Sequence, residues 1–158
     1  MKVAVAVAAL AGSLAVAAQA AGSVIPKVVQ ADMASILEQS NQLDLAYIPT
    51  YAPKHYRYST FDGSAGTSHI TLSPGAVGSP RALYFTITHY GRTLSECGEG
   101  RGKKLVVNGK TVYVTTGIAW RCLRAPSGHN VVVKVHGAGL TLKTLGAVAA
   151  SAQRLQTY

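Results

Sequence analysis

Two apolar runs, Leu105-Val106-Val107 and Lys110-Thr111-Val112-Tyr113-Val114, are joined by the dipeptide Asn108-Gly109. A two-residue type I′ turn needs positive φ at both central positions, and Asn and Gly reach it at the least cost. The spacing therefore predicts an antiparallel hairpin, and its neighbours extend the pattern. Leu83, Phe85 and Ile87 alternate with Tyr84, Thr86, Thr88 and Tyr90, while Ile118–Arg124 forms a further strand around Trp120 and Cys122. Val131–Val135 is short, β-branched and nearly all apolar, the pattern of a central, well-buried strand. Upstream, a first strand is expected at Tyr56–Thr60, a loop over residues 61–66 and a short strand at His69–Ser73.

Helical spacing occurs at both ends of this β-rich region. Ile25, Val28, Val29, Met33, Ile36 and Leu37 fall on one face of a helix, with Ser23 to cap it, Pro26 in its first turn and Ser40-Asn41 to stop it. Residues 141–156 form the second amphipathic pattern, with Leu145, Val148, Ala149, Ala152 and Leu155 on one side. The fold class expected is α+β: an antiparallel sheet of about five to seven strands with an N-terminal and a C-terminal helix packed on one face.

The first twenty residues have a different logic. Lys2 precedes an almost unbroken Ala, Val and Leu run from Val3 to Ala18, and Ala18-Gln19-Ala20 has the small-x-small form of a signal-peptidase site. We expect residues 1–20 to be a signal peptide and residues 21–158 a single exported domain, periplasmic or secreted. No cysteine stands at the cleavage point to carry a lipid, and no later stretch is apolar enough to span a bilayer. A hydrophobic content of 48% with only 13% charged residues excludes a disordered chain. In an oxidising compartment the two cysteines, Cys97 and Cys122, are expected to pair, closing a loop of about 25 residues worth roughly 3 kcal/mol in the unfolded-chain entropy account. They lack the CxxC spacing of a reactive or metal-binding pair.

Charge is unevenly spread. Residues 21–99 hold five basic and six acidic side chains; residues 100–158 hold nine basic and none acidic. Such a half creates a positive field that attracts polyanions. Arg101, Lys103, Lys104, Lys110, Arg121, Arg124 and Lys134 are the candidate anion-binding residues. The partners that fit are an anionic envelope polymer, lipid headgroups or an acidic protein. A second candidate surface is Tyr47, Tyr51, Tyr56 and Tyr58, interleaved with Lys54, His55 and Arg57, which suits sugars or bases. Ordinary packing with exposed hydroxyls explains the same tyrosines.

Catalytic motifs are thin. The histidines His55, His69, His89, His129 and His136 show no HxxxH or HExxH spacing, GxSxG is absent, and the glycine-rich GEGRG at Gly98–Gly102 is not followed by GK[ST]. A zinc site would need His69 and His89 to meet a third ligand, so no metal and no cofactor is expected. Small basic secreted α+β ribonucleases use a Glu base, a His acid and an Arg against the phosphorane, which Glu96 or Glu99, Arg121, and His129 or His136 match in type. Nucleic acid enters as a partner only in this alternative.

Three segments together resemble a family of exported bacterial domains of unknown function, some attached to anti-sigma regulators. Tyr47-Ile48-Pro49-Thr50-Tyr51-Ala52-Pro53-Lys54-His55-Tyr56 is similar to its P-x-Y-x-P-x-G-Y segment, with His55 standing where the family tends to have glycine. The strand-Asn-Gly-strand-x-Trp segment and the closing Gly139-Leu140-Thr141-Leu142 helix are similar too, so the resemblance spans roughly residues 47–155. It implies an extracytoplasmic binding or sensor-type module, and it supplies no catalytic residues.

The compartment and the cysteine pairing share one measurement. The intact mass of the protein recovered from the producing cells is expected to lack residues 1–20 and to rise by two hydrogens on reduction; a mass that retains Met1–Ala20 with both thiols free contradicts both expectations.

Overall fold

The computed structural model describes residues 24–64, 66–75, 78–97 and 102–156. The expected signal peptide, Ser23, Glu99 and Arg101 lie outside them. Nine strands occur in chain order among the described residues: β1 (Tyr47–Pro49), β2 (Arg57–Ser64), β3 (Thr67–Ser73), β4 (Leu83–Tyr90), β5 (Lys103–Val107), β6 (Lys110–Thr115), β7 (Ile118–Arg124), β8 (Asn130–Gly137) and β9 (Ala152–Arg154). Helix α1 (Lys27–Gln39) precedes them, and α2 (Leu142–Ala150) lies between β8 and β9. Seven strands form one antiparallel sheet in the order β2-β3-β4-β8-β7-β6-β5, and β1 pairs with β9 in a separate ribbon. The fold is α+β, as the two periodicities in the sequence require.

The hairpin forms where the turn chemistry places it. Val107 pairs with Lys110, and Asn108 and Gly109 hold φ of 50° and 73°. β8 is the fourth of the seven strands, and Val131, Val133 and Val135 are fully buried. Alternation then sorts each strand between two faces. Ile70, Leu72, Leu83, Phe85, Ile87, Val112, Val114 and Ala119 share one buried cluster with those valines and with Met33, Leu37, Leu145 and Val148 of the helices. α2 lies against β5–β8, where Gly146 faces Val114, Leu105 and Val107 closely enough that an added Cβ would contact all three.

Several local expectations change. Residues 61–64 belong to β2 rather than to a loop, because Phe61 pairs with Ile70 and packs on the core. In α1 the buried residues are Met33 and Leu37, with Val29 half-buried one turn earlier and Ile25 buried just before the helix, an i, i+4 row; Val28 and Ile36 face outward at 69% and 43% exposure. Pro26 is the N-cap, and the helix stops at Ser40 with Asn41 in the left-handed region, φ 56°. α2 starts as expected, the Thr141 hydroxyl accepting from the Thr144 amide at 3.1 Å, but it ends at Ala150 instead of running to residue 156. Beyond it the chain extends and pairs Ala152 with Pro49 and Arg154 with Tyr47. Ser151 fixes this break: its hydroxyl donates to Val148 O at 2.7 Å and accepts from the amides of Thr50 and Tyr51 at 3.2 and 3.1 Å.

The link from β4 to β5 is described up to Cys97 and again from Gly102, and Cys97 lies on the side of the sheet away from α2. Cys122 and Trp120 point to that side, and Cys97 from the link is bonded to Cys122, with Cα atoms 6.2 Å apart. Trp120 Nε1 donates to Cys97 O at 3.1 Å. Cys97, Trp120 and Val132 form a second, small buried cluster there, with Tyr90, Tyr113 and Cys122 packed round it. Gly102 closes the link over the indole, since an added Cβ would sit 2.5 Å from Trp120 Cη2 and 2.8 Å from Val114 O. Gly102→Ala is therefore expected to destabilise the protein by about 1–3 kcal/mol in denaturant unfolding and to shift the fluorescence of the single tryptophan; unchanged stability and emission mean that the link does not rest on Trp120.

Candidate functional site

The sheet face opposite α2 carries the basic and aromatic residues, and strand register arranges them in rows. One row crosses all seven strands as Asp62, His69, Thr86, Lys134, Trp120, Tyr113 and Lys104. The next runs Thr60, Thr71, Tyr84, His136, Ile118 and Thr115, and a third begins Ser64, Thr67, Thr88, Val132 and Cys122. Tyr113 stacks on Trp120 with ring centroids 5.8 Å apart, and Tyr84 stacks on His136 at 4.8 Å. His69 Nδ1 lies 3.0 Å from Thr86 Oγ1, so the β3 side of the face is tied by a hydrogen bond across the strands. Beside the disulfide, Thr88, His89, Tyr90, Thr115, Ile118, Trp120, Val132 and Lys134, with Cys97 as one wall, surround a concavity of about 370 Å³.

The seven candidate cations divide between the two faces. Lys104, Arg124 and Lys134 lie on the open face, whereas Lys103, Lys110 and Arg121 have the opposite parity. Arg101 lies outside the described residues. Arg121 is a correction to the expected set. Its guanidinium donates to Ala150 O and Ala152 O at 3.2 and 3.4 Å, satisfying carbonyls released where α2 ends, so its task is structural. Burial lowers its pKa, and burial together with the Arg121 charge lowers that of Lys110. Lys110 and Arg121 thus form a cation pair on the helix side rather than part of a single anion-facing surface.

The tyrosine surface is also corrected. Tyr47 and Tyr56 are 7% and 8% exposed; their hydroxyls donate to Arg124 O at 3.5 Å and Arg81 O at 2.8 Å. Tyr51 and Tyr58 pack against the same core half-buried. Burial raises the pKa of Tyr47 and of Tyr58. Tyr84, Tyr90 and Tyr113 are instead the aromatics that the open face exposes, with Trp120 buried beneath them at 8% exposure, and the signal for them was their parity with Lys134. Beside the buried tyrosines, His55 holds φ 72°, a left-handed conformation that glycine adopts at less cost.

Catalytic groupings do not assemble from the residues named. Arg121 faces α2 while His136 stacks on Tyr84 on the other side of the sheet. Glu96, on the link, accepts from the Thr93 amide and hydroxyl at 2.9 and 2.7 Å, and these bonds lower its pKa. His69 and His89 have opposite parity, and among the described residues no group of three potential metal ligands is found. Asp44, Ser127 and His129 meet, but not as a nucleophile and its base. Ser127 donates to Asp44 Oδ2 at 2.6 Å, and His129 Nδ1 approaches both Ser127 Oγ and Asp44 Oδ2, at 3.1 and 2.9 Å. A hydrolytic triad needs the two imidazole nitrogens to serve different partners.

No protein-family model matches the chain, and no curated protein matches it in sequence. The site is thus defined by its own geometry.

The Asp44 cluster fastens the β7–β8 turn to the 3₁₀ turn after α1. Burial acts to raise the Asp44 pKa, but hydrogen bonds from Ser127 and His129 and the His129 charge outweigh it, leaving the carboxyl below its ordinary 3.8. A carboxyl with a folded pKa under its unfolded one stabilises the fold above the unfolded value and loses that contribution as pH falls through the folded one. Asp44→Asn is expected to cost about 1 kcal/mol at neutral pH, with the difference from wild type shrinking below about pH 4 in urea titrations; a difference independent of pH overturns this.

Proposed function

We propose that the protein is an extracytoplasmic, non-enzymatic binding module, periplasmic or secreted, whose open sheet face meets an anionic envelope partner. One observation carries the reading: alternation collects Lys104, Arg124 and Lys134 on the face that also presents Tyr84, Tyr113 and His136, while no acidic residue of β4–β8 shares it. The sheet's own carboxylate on that face, Asp62, sits on the far edge strand β2. A polyanion lying across the strands from β8 to β5 therefore meets like-signed cations and flat rings together. The paired cysteines support an oxidising compartment. Among the described residues no helix is long and apolar enough to cross a membrane.

Binding of this kind releases counterions, so its affinity falls linearly in log–log form as salt rises. Titration with polyphosphate, polyglutamate and anionic vesicles over a salt series is expected to show that slope. Lys104→Glu, Arg124→Glu and Lys134→Glu together are expected to flatten it by roughly three, about one per contact. Lys143→Glu, an exposed charge on α2, serves as the control. A salt-independent affinity, or a triple variant no different from the control, overturns the proposal.

A further inference from the structure

We infer that the concavity beside the Cys97–Cys122 bridge is a subsite for one carboxylate-bearing sugar ring, which makes the anionic partner an acidic polysaccharide. This deepens the open-face reading and rests on it. The volume, about 370 Å³, lies in the range of small-ligand sites, roughly 300–1,000 Å³, and admits a single ring with its substituents. Its chemistry is mixed in a particular way. Val132 and Trp120 supply an apolar floor, Ile118 a partly exposed apolar side, and Lys134 one ammonium. Around them stand the hydroxyls of Thr88, Tyr90 and Thr115, none of which bonds another described side chain or carbonyl. Each hydroxyl both donates and accepts.

A sugar ring has the complementary pattern: C–H faces that rest on apolar surface, and hydroxyls round its edge. A uronate adds one negative charge, which a single Lys ammonium meets as a point charge. Phosphate chains fit less well. They favour convergent backbone amides, helix N-termini or Arg forks, and here they would set charged oxygens on Val132 and Ile118. The wall is held in place before any ligand arrives, because the disulfide and the Trp120 Nε1 bond to Cys97 O both fix the link. Such a wall reduces the ordering cost of binding.

The test uses the full mature protein, oligogalacturonate, its methyl ester, and polyphosphate of matched charge, read by calorimetry and by the fluorescence of Trp120. Oligogalacturonate is expected to bind about tenfold more tightly than either comparator and to alter the emission. Thr88→Val with Thr115→Val, which keeps strand shape, is expected to weaken oligogalacturonate binding about tenfold and leave polyphosphate binding unchanged, since each lost hydrogen bond carries a fraction of that factor. Lys134→Met is expected to erase the preference for the acid over the ester. If all polyanions bind alike and the threonine variants change nothing, the sugar subsite is wrong and the open-face reading survives. If no polyanion binds, both fail; if oligogalacturonate binds without perturbing Trp120, the ligand lies elsewhere and the inference is overturned.

Discussion

The pairing of β7 with β8 sets the assignment of side chains on which both faces of the sheet depend. Trp120 opposite Lys134 and Cys122 opposite Val132 point one way; Ala119 opposite Val135 and Arg121 opposite Val133 point the other. The strand period is two, so a slip of one residue would exchange the sets completely. Cys122 would then face α2 and lose Cys97, while Arg121 would face the link and leave the carbonyls of Ala150 and Ala152 without their donor. Three buried valines on β8 and the bridge on β7 enforce the same register from opposite sides, which is why a single strand pair can carry both a core and a surface.

The long connection from β4 to β5 would be a liability without that bridge. It leaves a central strand and must reach the sheet edge, a path of about four strand spacings, or roughly 19 Å. Among the described residues the cluster that its Cys97 joins holds only Trp120 and Val132 besides, far smaller than the one under the helices. A covalent tie, one indole hydrogen bond and the close fit of Gly102 hold it where apolar area alone is scarce. The concavity is a by-product of this arrangement, being the space left between the fastened link and the sheet it crosses.

Much of this was legible in the sequence, and the failures have identifiable physical causes. Asn108-Gly109 and the β8 valines are local signals, set by φ and by branching at Cβ, and both held. The apolar residues chosen for the C-terminal helix are indeed buried, Leu155 at 2% and Ala152 at 5% exposure, yet two thirds of the way along the chain changes to a strand. Burial can be read from composition, but the partner that β9 finds in β1 lies about a hundred residues away and leaves no local mark. Tyr47 and Tyr56 failed for a related reason. Their hydroxyls reach carbonyls of Arg124 and Arg81, distant in sequence, and with those partners an aromatic beside a basic residue becomes core.

Charge shows the distinction most sharply. A tally along the chain places nine cations in one half, but in a β protein a half of the sequence is not a surface. Neighbours in sequence alternate between faces, so Lys103 and Lys104 part company, as do Arg121 and the residues on either side of it. What the tally does capture is the long-range field, which depends on net charge and reaches over about 8–10 Å at physiological salt whatever the parity. Parity then decides which of those cations a ligand can touch. The field acts on an anion from any direction; among the described residues Lys104, Arg124 and Lys134 share a face with the flat rings and Lys134 also lines the hollow, so under the proposed reading these are the cations that give the attraction an orientation.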